Sequence, residues 1–265
     1  MKAHKFMTAS IILLASFTLL SACSTTNKQT QTAPTKANTT QNSKMAIGEY
    51  IENSTKPILF FEVSEIDKEA NTHSIYLFQS GKIKKYSLSI PLGELAKLDV
   101  EETIELLDNK QSQKLQKTYE SNLKILESEE PINETDRQTL ATSITELKEF
   151  KSTIDSFELK FFPYEINLTT DSSGNTTSAE KFEFKSEQMR INAMAYIESE
   201  LGAQTRTTNF EITSYSGTYQ IYDTSFATFN TTYMRSPAYI ITPIKNEISF
   251  TLDQPDTKLK NVKME

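Results

Sequence analysis

From Asp99 to Phe157 the chain reads DVEETIELLDNKQSQKLQKTYESNLKILESEEPINETDRQTLATSITELKEFKSTIDSF, and its apolar residues recur at helical spacing. Leu115, Tyr119, Leu123 and Leu126 follow i, i+4, i+8, i+11, which places them on one stripe of an α-helix. Val100, Ile104 and Leu107 share a face one turn apart. Asp99, with Glu102 three residues on, has the pattern of a capping box with Asp in place of Ser or Thr. Glu129-Glu130-Pro131 interrupts the pattern, because proline removes a backbone donor and disfavours helix in the residue before it. Asn133, with Asp136 at the matching position, starts the next helix, and Leu140, Ile144, Leu147 and Ile154 supply its stripe. Two antiparallel helices are therefore predicted between about 110 and 155. Their remaining faces are Lys, Glu, Gln and Thr, so one side of the hairpin is buried.

On both sides of this segment the period changes to two. Upstream, Ile58-Leu59-Phe60-Phe61-Glu62-Val63 is β-branched and aromatic and reads as a buried strand. Ser74–Phe78 and Lys82–Ile90 read as a hairpin turned at Gln79-Ser80-Gly81, where glycine meets the φ > 0 requirement of a tight turn. Downstream, Tyr164, Ile166 and Leu168 alternate with polar residues, Asp171–Asn175 is a turn, and Phe182 and Phe184 alternate again. Glu187 to Leu201 fits a helix through Met189, Ala193, Tyr196, Ile197 and Leu201, with Gly202 at its stop. Phe210 and Ile212 form a further alternation. Short strands follow at Thr218–Tyr222, Phe226–Thr231 and Ala238–Thr242, and Ile248, Phe250 and Leu252 form the last. Residues from Asp253 on are polar and read as a frayed end. The expected fold is α+β: an antiparallel β sheet, as a sandwich or partial barrel, with an inserted helical hairpin at about 99–155.

The start of the chain has a different character. Lys2 and Lys5 precede an apolar run from Phe6 to Leu20, too short for the ~20 residues of a membrane-spanning helix and suited to a signal-peptide core. Leu20-Ser21-Ala22-Cys23 follows, with the only cysteine of the sequence. This stretch resembles the lipobox of bacterial lipoproteins. The resemblance implies cleavage between Ala22 and Cys23 by signal peptidase II, and a diacylglycerol on Cys23. The anchor would place the protein on the extracytoplasmic face of the cell membrane, and no intrachain disulfide would then be possible. The layout beyond it resembles uncharacterised lipoproteins of low-GC Gram-positive bacteria. Residues 24–44 hold no acid, aromatic or large aliphatic residue and read as a disordered tether with an r.m.s. span of roughly 25 Å. The organisation expected is a signal at 1–22, lipidated Cys23 and tether at 23–44, a globular domain at 45–255 and a polar tail at 256–265.

Charge and composition then limit function. The formal net charge is −7, and removing Lys2 and Lys5 with the signal deepens it to −9. Such a chain is a poor electrostatic match for nucleic acid. His73 is the only histidine beyond the signal, and it sits in a polar stretch that reads as an exposed loop. With Cys23 blocked, a zinc site has no ligand set, and no metal or other cofactor is expected. No G-x-S-x-G elbow or glycine-rich phosphate loop is present. The aromatics cluster between residues 219 and 239, where Tyr219, Tyr222, Tyr233 and Tyr239 form a candidate binding patch, if they are not core positions of short strands. Two function classes follow. One is a non-enzymatic module that binds a protein or envelope component. The other is a hydrolase built on carboxylates, which would need a close carboxylate pair in a deep cleft.

Overall fold

The computed structural model describes residues 44–193, 200–232, 238–245 and 248–264. The described chain is α+β. Its main sheet takes β2 (Ile58–Val63), β3 (Thr72–Gln79), β4 (Lys82–Tyr86), β5 (Phe162–Thr170), β6 (Thr177–Asn192), β7 (Glu200–Ile212), β8 (Ser214–Ile221), β9 (Thr224–Thr231) and β10 (Ala238–Ile244) in the order β7-β6-β5-β4-β3-β2-β10-β9-β8. The first hairpin therefore lies in the middle of the sheet. β2 pairs with β10 and β4 with β5, so strands from both sides of the helical insertion share one sheet. The β3–β4 turn is Ser80-Gly81, with φ of 51° and 71°, the paired left-handed conformation that matches the twist of the strands.

β2 is buried along its whole length because both of its faces are covered. Phe60, with Tyr76 and Phe78 of β3, faces a core completed by Tyr164, Phe182, Phe184, Phe210 and Phe229. Leu59, Phe61, Ile75 and Leu77 face a second core that includes Leu88, Ile90, Leu92 and Leu107. The first core shows how the sheet bends. Phe210 of β7 lies 4.4 Å, centroid to centroid, from Tyr76 of β3, four strands away in the sheet. Four flat strand spacings span roughly 19 Å, so the sheet must curl to bring these rings together. It curls without closing into a barrel.

The helical hairpin follows its sequence pattern. α3 (Val100–Ser128) starts at a capping box in which Asp99 accepts from the Glu102 amide and Glu102 accepts from the Asp99 amide. It is one unbroken helix and includes the Val100–Leu107 turns. α4 (Glu134–Asp155) is capped by Asn133. The pair closes a third core, in which Leu115, Tyr119, Leu126, Leu140, Leu147 and Ile154 meet Met189, Ile191 and Ala193.

Those last three residues correct the helix expected over Glu187–Leu201. Glu187–Asn192 is the end of β6, and Glu200 and Leu201 begin β7; residues 194–199 lie outside the described chain. Beyond Phe184, β6 has no ladder to β5 and continues as a two-stranded ribbon with β7. An isolated two-stranded ribbon is marginal in water. The helical hairpin covers one face of this one, and Met189, Ile191 and Ala193 alternate at strand spacing to meet it.

The C-terminal stretch is also docked where fraying was expected. β1 (Lys44–Ala46) pairs in parallel with β11 (Ser249–Thr251), and β12 (Val262–Met264) pairs in parallel with β5. Asp253 is 1 % exposed. Among the described residues, no helix is long and apolar enough to cross a membrane.

Candidate functional site

α3 crosses from the second core to the third between Leu107 and Leu115 with no buried apolar residue in between. Polar contacts hold it over the sheet there. The Tyr86 hydroxyl donates to Asp108 (2.7 Å), Lys84 lies 3.7 Å from the same carboxylate, and Lys110 lies 3.4 Å from Glu94, beside the short helix α2 (Leu92–Leu95). The Lys114 ammonium donates to the Ser87 carbonyl (2.7 Å). A solvent-reaching crevice flanks this span, and the Lys114–Ser87 contact marks where two cavities meet.

The larger cavity, about 740 Å³, lies against Thr72, His73 and Ser87–Ile90 on one wall and the Lys110–Asn122 face of α3 on the other. The smaller, about 340 Å³, is bordered by Lys85, Lys114, Leu159 and the six consecutive residues Glu187–Asn192. Consecutive strand residues point to alternate faces, so all six can line one cavity only along the strand's edge. That edge is the one β5 leaves uncovered.

The electrostatics of the crevice are one-sided. Lys85, Lys110, Lys114, Lys117, Arg190 and His73 line it, against one carboxylate, Glu187. Glu187 is itself held by Lys160 at 2.9 Å. Lys85 stands over the Tyr76 ring, and burial lowers its pKa against the opposing pull of Glu62. His73, expected in a loop, is the second residue of β3 and is exposed.

A close carboxylate pair exists elsewhere, in the core. Glu180 of β6 is 0 % exposed and meets Asp253. The Asp253 amide donates to Glu180 Oε1, while Glu180 Oε2 and Asp253 Oδ1 are buried with no hydrogen-bond partner. The Gly48 amide, in α1 (Ile47–Glu52), donates to Asp253 Oδ2 (2.7 Å), and the Thr177 hydroxyl to the Asp253 carbonyl (2.5 Å). Burial pushes Glu180 well above the usual carboxylate range, and the Asp253 charge pushes it further. Burial raises Asp253 too, opposed by the Gly48 amide. Two adjacent buried carboxyls favour keeping a proton between them. Neither acid lines the crevice, so this arrangement ties α1 and the C-terminal segment to β6 and offers no path to a substrate.

The tyrosines expected as a patch are distributed. Tyr219 and Tyr222 are about half exposed on the β8–β9 hairpin. Tyr239 is partly buried against the second core. Tyr233 lies outside the described residues. Tyr222 has φ +54°, an unusual conformation for a bulky side chain. Its ring lies under the Lys97 ammonium (4.9 Å) and beside Gly93 of α2, where an added Cβ would come within 3.3 Å of it. Thr224 reinforces that junction by donating to the Ala96 carbonyl (2.6 Å). Tyr222 thus clasps α2, which leaves Tyr219 as the freer ring.

Ala22 and Cys23 lie outside the described residues. Among the described residues, no group of three or more His, Cys, Asp or Glu side chains could hold a metal. The crevice lysines were not singled out in the sequence. Their spacing on α3 (110, 114, 117) was the available signal, and it reads equally as a solvated helix face. Compared with known protein families, curated proteins and solved structures, the chain matches none.

Proposed function

We propose that the chain is an extracytoplasmic lipoprotein, held to the membrane by lipid on Cys23, whose domain is a non-enzymatic module that binds an envelope component in the α3 crevice. The observation that carries this reading is where the two kinds of polar group lie. The close carboxylate pair, Glu180 and Asp253, is sealed in the core, whereas the crevice that reaches solvent is lined by cations, hydroxyls and amides with a single carboxylate, Glu187. A carboxylate hydrolase needs its pair at the substrate, one acid protonated and one ionised. Here the raised acids accept from the backbone amides of Asp253 and Gly48.

The lipobox and tether supply the location. Residues 24–43 would let the domain stand roughly 25 Å from the bilayer, which puts the crevice within reach of envelope material. Two measurements test the proposal. Cys23→Ala is expected to abolish acyl labelling and leave an uncut precursor; unchanged labelling would end the lipoprotein reading. The purified protein is expected to co-sediment with isolated envelopes, to lose retention on the double substitution Lys114→Glu, Lys117→Glu, and to release no soluble product. Steady product release that persists in Glu180→Gln would favour an enzyme instead.

A further inference from the structure

Resting on that binding reading, we infer that the larger cavity of the crevice takes a linear phosphate-bearing ligand, with Lys110, Lys114 and Lys117 as its cations. Charge is the first support. The protein carries 35 acids and 28 lysines and arginines, yet the cavity lining holds three lysines and His73 and no carboxylate. At physiological ionic strength the Debye length is about 8 Å, so an anion inside the cavity responds to this local set more than to the acidic net charge. Lys117 has no hydrogen bond or ion pair among the described residues. Lys110 is held by Glu94 and Lys114 by a neutral carbonyl, so both ammonium groups have donors left for a ligand.

Shape and donor type are the second support. Lysines 110, 114 and 117 recur at i, i+4 and i+7, and the lining continues to Ser121 and Asn122. That run of α3 is about 18 Å long, which suits an extended ligand with repeated charges. Besides Thr72, whose hydroxyl donates to the Leu88 carbonyl, the remaining polar lining is hydroxyl and amide: Ser87, Ser89, Thr118, Ser121, Gln113 and Asn122. Compact ammonium charges with short hydroxyl donors suit a tetrahedral oxyanion rich in acceptors. The lining has no Phe, Tyr or Trp, and its apolar members Leu88 and Ile90 belong to the second core, so nothing there recognises apolar peptide side chains. The chain's own residues 24–43 are excluded as occupant because they carry lysine and no acid.

The test uses the full-length protein with inorganic polyphosphate as soluble probe, phosphatidylglycerol vesicles as headgroup probe and poly-glutamate as carboxylate control. Polyphosphate is expected to bind with an affinity that falls as salt rises. Lys117→Gln and Lys114→Gln are each expected to weaken it about tenfold, the equivalent of ~1.4 kcal/mol. Lys124→Gln, an equal charge change on α3 outside the cavity, is expected to stay within twofold. Lysine-dependent binding of polyphosphate but not vesicles identifies a soluble phosphate chain as the source. The same dependence with vesicles identifies lipid headgroups. The inference is overturned if polyphosphate does not bind, if poly-glutamate binds as tightly, or if Lys124→Gln weakens binding as much as Lys117→Gln. Envelope retention surviving any of these would leave the binding module standing without this ligand. Lysine-dependent binding accompanied by release of orthophosphate would keep the ligand class and refute the non-enzymatic reading.

Discussion

Glu180→Gln is a nearly isosteric change whose effect depends on pH. In the native protein Glu180 Oε1 accepts from the Asp253 amide while its carboxyl meets the Asp253 side chain, and both acids titrate above their ordinary values because they are buried. Two unit charges ~4 Å apart repel by about 4 kcal/mol at an effective dielectric of 20, so the fold favours a retained proton. Raised folded-state values set the sign. The pair's contribution to stability is complete below the ordinary carboxyl range, near 4, and is lost as pH rises through the raised values. Glutamine keeps the acceptor, offers a permanent N–H donor to Asp253 and removes the Glu180 titration, so over that window the variant retains only the smaller loss that comes from buried Asp253. A hydrogen bond to a charged group is worth about 2 kcal/mol, and about 2–4 °C in Tm accompanies each kcal/mol in a domain of this size. Thermal unfolding of both proteins from pH 5 to pH 8 is the assay. Their Tm difference is expected to be near zero at pH 5 and about 4–8 °C in favour of Glu180→Gln at pH 8. Titration elsewhere cancels in that difference. A variant less stable than the native protein at pH 8, or a difference that does not change with pH, would refute the shared-proton account.

Two other substitutions probe the frame around the crevice. Gly48→Ala would place a Cβ 2.6 Å from Asp253 Oδ2, and the forced shift is expected to lower stability by about 1–3 kcal/mol in denaturant unfolding. Leu147→Ala empties a fully buried position of the third core and is expected to destabilise by about 2–5 kcal/mol. Because that core is separate from the two against β2, amide exchange is expected to accelerate over α3, α4 and the β6–β7 ribbon before the central strands.

The helical hairpin was legible because local signals agreed: two capped starts, a proline-marked break and stripes that reach Leu126 and Leu147. The tight turn at Gly81 was legible for the same reason. The strand from Glu187 to Asn192 was misread because Met189 and Ala193 satisfy both a four-residue and a two-residue spacing. Ile191 between them breaks the tie in favour of strand, since Met189, Ile191 and Ala193 keep one parity and Arg190 and Asn192 the other. Asp253 was misread because its neighbours are polar and its partners, Gly48 and Glu180, are 205 and 73 residues away. No local pattern carries a contact of that range. The crevice is invisible for a related reason. Its cations come from β4, β6 and α3, and each reads alone as a solvated side chain.

The placement of the binding surface is the centre of this account, and lysine footprinting tests it most directly. The protein is acetylated alone and while retained on sedimented envelopes, and the extent of modification at each lysine is read by mass spectrometry. Lys117 and Lys110 are expected to be protected on the envelope while Lys124 and Lys148, on the helical hairpin outside the crevice, label as before. Unchanged labelling of Lys117 in fully retained protein, with protection shifted to Lys97 beside Tyr222, would contradict the account and move the binding surface to the β8–β9 hairpin.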